Sequence, residues 1–250
     1  MADKQKFPSE VIDLPSSGQL YAPDSPLHAG KIEIKYMTAK EEDILTSQNL
    51  IKKGIVIDTL LNELILTKGI TVDDLLLGDK NAVMVAARIL AYGPEYTIEV
   101  THPTTGEKIQ HTFNLADCPF KKIPDDAVVN EFEIVLPISK VKVKFKLLTG
   151  IEEKQVEKEL QQRKKLGSQI SPELTTRLKH AIIAVDGDTK SGTIHNFVDN
   201  LLSKDSFHLR QEMNRVAPDI ELKQELDWEG ETVMVDIPMA VDFFWPNFKS

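Results

Sequence analysis

Gly78-Asp79-Lys80-Asn81-Ala82-Val83-Met84-Val85-Ala86-Ala87-Arg88-Ile89-Leu90-Ala91-Tyr92-Gly93 runs straight into Pro94-Glu95-Tyr96-Thr97-Ile98-Glu99-Val100-Thr101, and the hydrophobic period changes at the join. In the first part Ala82, Val83, Ala86, Ile89 and Leu90 share one face of a helix, which Gly93-Pro94 stops. In the second, Tyr96, Ile98 and Val100 alternate as in a half-buried strand. A further strand is predicted over Lys108–Asn114, across the loop His102–Glu107. A helix feeding a hairpin predicts an α+β fold, with helical segments interleaved with antiparallel β-hairpins.

The same switching continues on both sides. Upstream, Ile32, Ile34 and Tyr36 alternate as a strand, and Thr38 with Glu41 forms a capping box. The helical pattern breaks near Gly54, resumes with Ile57, Leu60, Leu61, Leu64 and Ile65, and stops at Gly69. Thr71–Leu77 reads as a short helical turn. Downstream, strands over Glu131–Leu136 and Val141–Leu148 are joined by Pro137–Lys140. The charged segment Ile151–Leu166 has a thin apolar stripe and reads as a solvated helix. Ser171-Pro172-Glu173 opens another, whose periodic positions are Leu174, Leu178, Ala181, Ile182 and Val185. Two more helices are predicted, one on Ile194, Phe197, Val198, Leu201 and Leu202, one from Asp205 or Ser206 to Pro218. A last hairpin turns at Glu229-Gly230. Residues 1–30, with Pro8, Pro15, Pro23 and Pro26, read as an extended arm that orders on a partner or stays disordered. The expected division is this arm, a helical region with a hairpin over 31–125, and a hairpin, helical region and C-terminal hairpin over 126–250.

The chain has 250 residues, of which 41% are hydrophobic, enough to bury a core. Its 30 Lys+Arg against 39 Asp+Glu give a net charge of −9, which opposes broad binding to nucleic-acid backbones. The single cysteine, Cys118, excludes an intrachain disulfide and a Cys-rich zinc site; it reads as a small apolar filler. The polar start Met1–Lys6 lacks a signal-peptide core, and no apolar run approaches the roughly 18 residues of a membrane span. The expectation is a protein of the reducing cytoplasm, with no membrane partner.

No nucleophile elbow, phosphate-binding glycine loop, His-Glu-x-x-His or dinucleotide fingerprint occurs. Six histidines are scattered. Asp186–Phe197 begins like a calcium loop but has Lys190, Ser191 and Phe197 where the loop needs a ligand, Gly and Glu. No cofactor or metal is expected. Arg163-Lys164-Lys165 reads as a solvated helix face rather than a docking patch. The best binding candidate is the aromatic cluster Phe243-Phe244-Trp245-Pro246, which either packs the chain's end onto the core or marks an interface. Leu14 and Pro15, in the arm, are the other partner-binding candidates.

Taken in order, Asp13-Leu-Pro-Ser-Ser-Gly18, Met37–Asp43, Gly78-Asp79 leading to Arg88–Gly93, Glu133–Pro137, Val185-Asp-Gly187, Lys204-Asp205 with Leu209-Arg210, and Phe243–Pro246 span nearly the whole chain. This series resembles the baseplate hub assembly proteins of contractile-tailed bacteriophages of the T-even type. The resemblance implies a non-enzymatic protein that helps build the central hub through contacts with other hub proteins, in the host cytoplasm during assembly, with a place in the virion baseplate open. It leaves a homo-oligomer open too. Where the family pattern resembles zinc knuckles of the form Cys-Pro-x-Cys-Gly at two hairpins, this chain has His102-Pro-Thr-Thr-Gly106 and Leu226-Asp-Trp-Glu-Gly230. The turn glycines remain and the thiolates are gone, so the expectation is two adjacent hairpins joined by packing around Trp228, without a metal. The rival readings are a stable hub subunit, a small enzyme with dispersed catalytic residues, and nucleic-acid binding through residues 154–165.

Overall fold

The computed structural model describes residues 8–165, 171–239 and 241–244. Strand β1 (Ser9–Asp13) pairs antiparallel with β2 (Lys31–Lys35), Ser9 opposite Lys35 and Asp13 opposite Lys31. From Ser9 onward the proline-rich start is thus built into a sheet. The loop between the strands doubles back at Gly18, where φ is 78° and a Cβ would lie 2.3 Å from the His28 carbonyl oxygen; only glycine fits. Helix α1 (Ala39–Thr46) opens on the expected Thr38/Glu41 capping box, and α2 (Gln48–Lys53) closes at left-handed Gly54. Helix α3 (Val56–Leu64) buries Val56, Leu60, Leu61 and Leu64. A single 3-10 turn, Val72–Asp74, leads to α4 (Leu77–Tyr92), which Gly93 ends. Strands β3 (Glu95–Thr101) and β4 (Lys108–Asn114) form the expected hairpin, Glu95 opposite Asn114.

The chain then runs through the short β5 (Phe120–Lys121), the hairpin β6 (Phe132–Val135) and β7 (Lys142–Phe145), α5 (Gly150–Lys165) and α6 (Glu173–Ala181). The apolar positions from Leu174 to Val185, predicted as one helix, divide between a helix and a strand. Helix α6 stops at Ala181, and Ile182–Val185 is a strand, β8, in a sheet of order β6-β7-β8. Ile182, Ile183 and Val185 are β-branched, and Asp186 and Gly187 both have positive φ, so the segment is a short strand ending in a tight turn. Helices α7 (Ser191–Asp199) and α8 (Ser203–Val216) follow, then β9 (Asp219–Ile220), which pairs back to β5, and the hairpin β10 (Lys223–Trp228) and β11 (Glu231–Asp236). Helical segments and small antiparallel sheets alternate throughout, so the fold is α+β.

Two hydrophobic cores result, and they do not follow the order of the chain. One joins β1–β2, α3, α4 and the β3–β4 hairpin to Leu226, Trp228, Val233, Val235 and Ile237 of the last hairpin and to Phe243 and Phe244. The other is built by residues 127–216, around Leu136, Phe145, Leu178, Ile182 and Leu209, with Leu20 and Leu76 reaching in from the N-terminal half. The cores meet at the start of α4. There Gly78 lies against the backbone of Pro218 and Asp219, and Asn81 Nδ2 donates to Asp219 Oδ1 at 3.0 Å.

Candidate interaction surface

The structure places the partner-binding candidates chosen from the sequence inside the fold. Leu14 and Pro15 are buried, and Phe243 and Phe244 have no exposed surface. Trp245 and Pro246 lie outside the described residues. Phe243 meets the Tyr96 ring edge-on at 5.0 Å and Phe244 at 5.5 Å. The buried Arg88 of α4 fastens this corner. Its Nε donates to the Phe243 carbonyl at 3.1 Å, its Nη1 to the Gly93 carbonyl at 3.0 Å and its Nη2 to the Glu95 carbonyl at 3.3 Å. The guanidinium also lies over the Tyr92 and Tyr96 rings, 5.2 and 5.7 Å from their centroids. Arg88 thus joins the helix end, the first hairpin and the last described residues.

Among the described residues three carboxylates are fully buried: Glu41, Asp79 and Asp205. Such groups in a cleft suggest acid–base chemistry, but each of these spends its oxygens on fixing backbone. Asp79 accepts from the Ser16 N–H at 2.9 Å and the Tyr21 hydroxyl at 2.6 Å, and Tyr21 in turn accepts from the Leu76 N–H at 2.9 Å. Burial raises the Asp79 pKa against these hydrogen bonds, and burial together with the Asp79 charge raises that of Tyr21. The stretch Asp13–Gly18 is in this way clasped to the first turn of α4. Asp205, in the first turn of α8, accepts from the Ile138 and Ser139 N–H groups at 2.8 and 3.0 Å and holds the β6–β7 turn.

Glu41 accepts from Lys35 Nζ at 2.8 Å, from the Thr38 N–H at 2.9 Å and from the Thr38 hydroxyl at 2.6 Å. Burial alone would raise its pKa, but these donors outweigh burial and hold it at about 2. A carboxylate lowered from 4.5 to about 2 contributes stability that is complete above its unfolded pKa and is lost as pH falls through the folded one. Wild-type stability is therefore expected to decline between about pH 4.5 and pH 2. Denaturant melts of Glu41→Gln should show a shallower decline across that window.

The two hairpins β3–β4 and β10–β11 lie side by side, as their resemblance to paired knuckles implied. His102 is the hinge of the contact. It is buried, its ring meets the Trp228 ring edge-on at 5.0 Å, and its Nε2 lies 3.6 Å from Glu231 Oε2. Nδ1 accepts from the Thr104 and Thr105 N–H groups at 3.3 and 3.2 Å, which requires that nitrogen to be unprotonated. Packing and a ring nitrogen thus organise the turn. Among the described residues no group of three or more His, Cys, Asp or Glu is placed to hold a metal ion. His102→Ala leaves two turn N–H groups without their acceptor and opens space beside Trp228; a loss of about 1–3 kcal/mol is expected in urea unfolding.

Cys118 is buried, and burial raises its thiol pKa, the opposite of an activated nucleophile. The apolar side chains left outside are ones the periodicity assigned to the interior or passed over. Leu202 and Leu174, counted on helix faces, are exposed, as are Val135, Ile138 and Phe207 around the turn that Asp205 holds. Leu77 is 57% exposed, at the junction of the two cores. It separates two adjoining hollows of about 330 and 250 Å³ that share Leu77, Glu153 and Arg177. Exposed apolar groups of this kind mark contact surfaces when they cluster. No spacing rule reveals them, because exposure depends on which elements fold over them.

A family model described as T4 bacteriophage base plate protein matches residues 8–245, so it covers all of the described fold. No curated protein and no solved structure matches the chain.

Proposed function

The chain belongs to the T4 bacteriophage base plate protein family, and from this we propose that it helps to build the central hub of the tail baseplate through protein–protein contacts. The observation that carries the reading is what the family-like residues do here. Asp79 clasps Asp13–Gly18, Asp205 holds the β6–β7 turn, and Arg88 anchors Phe243. Asp79 acts where the two cores meet, Arg88 within the first and Asp205 within the second, and the three do not converge on a reacting atom. Such a body offers surfaces, and the reading assigns it no reaction and no cofactor. Its partners are other baseplate proteins of the hub, met in the host cytoplasm while the tail is built.

The test is removal of the gene from the phage, with electron microscopy of the lysate. Baseplates lacking a central hub, restored by the gene supplied in trans, are the expected result; normal baseplates would overturn the proposal. Mass spectrometry of purified virions separates the two forms of the role. An assembly chaperone is absent from the particle, and a stable hub subunit is present in fixed copy number.

A further inference from the structure

The groove centred on Leu77 is apolar at its floor, where Leu75, Val156 and Leu160 lie beside Leu77. Its rim is ionic and unbalanced. Lys154 is paired with Asp58 at 3.1 Å and with Asp73; Arg177 is paired with Glu153 and, at 3.3 Å, with Glu173; Lys80 is paired with Asp58 at 2.5 Å. Every cation of the groove is thus already committed to carboxylates. Among the described residues Glu157 accepts from the Gln161 amide, and Asp219 lines the far end. Six carboxylates face three cations, so the rim keeps a surplus of three negative charges around an exposed leucine.

We propose that this groove docks a cationic amphipathic segment of another baseplate protein, its aliphatic side chains over Leu77 and its lysines or arginines on the surplus carboxylates. The proposal rests on the hub-assembly reading for the partner's place, and on the groove's own chemistry for the partner's character. Charge decides between occupants. Nucleic acid is repelled by the rim. A second copy brings a further net −9 to the contact. A basic segment instead gains both apolar burial and ion pairing in a partly desolvated cleft. Both hollows adjoin the start of α4, the same helix turn that Asp79 and Gly78 fix to both cores, so the docking surface is rigid before the partner arrives.

A photo-crosslinking amino acid placed at position 77 of the full-length protein during infection tests this, with the same group at exposed Met234 as control. Mass spectrometry identifies the captured peptide. The expected product at position 77 is a peptide of another baseplate protein with more Lys and Arg than Asp and Glu. Glu157→Lys should cut its yield at least about tenfold, while Glu157→Gln has a smaller effect and position 234 is unaffected. Thermal melts that match wild type confirm that these surface changes leave the fold intact. Capture of a second copy, of an acidic or neutral segment, or of nothing beyond the control overturns the proposal, as does a yield indifferent to Glu157→Lys. A basic segment from a baseplate protein outside the hub would uphold the docking site and refute the hub reading, so the two fail separately.

Discussion

Gly78→Ala is expected to destabilise the protein by about 3 kcal/mol and to lower its melting temperature by roughly 5–10 °C. Helix propensity alone predicts the reverse, since alanine is favoured over glycine in a helix by about 1 kcal/mol. Gly78 has no need of a left-handed backbone, as it sits inside the first turn of α4. What demands glycine is the neighbour. A Cβ there would lie 1.8 Å from the Pro218 carbonyl oxygen, 2.5 Å from its carbon and 2.7 Å from the Asp219 Cα. All three atoms are backbone, so no side chain can swing aside, and relief requires α4 to separate from the strand β9. That would also strain the Asn81–Asp219 hydrogen bond and the clasp of Asp79 next door. Gly192, in the first turn of α7, is the control: a Cβ there meets nothing within 4 Å. Gly192→Ala should be neutral or stabilising by up to about 1 kcal/mol. Calorimetry of the two variants side by side checks the sign as well as the size, and a stable Gly78→Ala would refute the packing described at the junction.

Phe243→Ala should cost about 3–5 kcal/mol, a large part of the roughly 5–15 kcal/mol that holds a typical domain folded. The ring is fully buried between Tyr96 and Phe244, and its carbonyl holds the Arg88 guanidinium. The loss should be seen in the purified protein alone, in the absence of any partner. A residue whose purpose was to meet a partner would leave the isolated chain unchanged and weaken only the complex. Phe243→Leu, which keeps most of the apolar volume, should recover more than half of the loss. Chemical denaturation of the three proteins gives the answer, and an alanine variant as stable as wild type would return the aromatic cluster to the surface.

What could be read from the sequence, and what could not, divides along the range of the forces involved. The Thr38/Glu41 box, the stop at Gly93 and the β3–β4 hairpin are each decided within a few residues, and they are where the sequence puts them. Ile182–Val185 misleads because four apolar residues following a helix continue its period by chance, and only pairing with β7 across 36 or more intervening residues makes them a strand. The start of the chain reads as an arm because proline and serine hide a five-residue strand that needs β2 to exist. Phe243 and Phe244 stand out in the sequence as a cluster, but whether aromatics lie inside or outside depends on what closes over them, here Arg88 and Tyr96. The groove at Leu77 has no local signature at all. It exists only where α4, α5 and α6 come together around a residue that periodicity does not mark.

The return of the last hairpin to the first core also sets an order of events during synthesis. Residues 14–115 leave the ribosome well before Leu226–Phe244, yet the interior they share cannot close until those later residues emerge. The region 127–216, whose buried core draws Leu20 and Leu76 from earlier in the chain, with Tyr21 and Ile123 packed against it, can collapse first, although it is translated second. Until Leu226–Phe244 emerge the nascent chain carries an open apolar face. A stop codon placed at Leu226 should therefore yield an insoluble product rather than a soluble, shortened one.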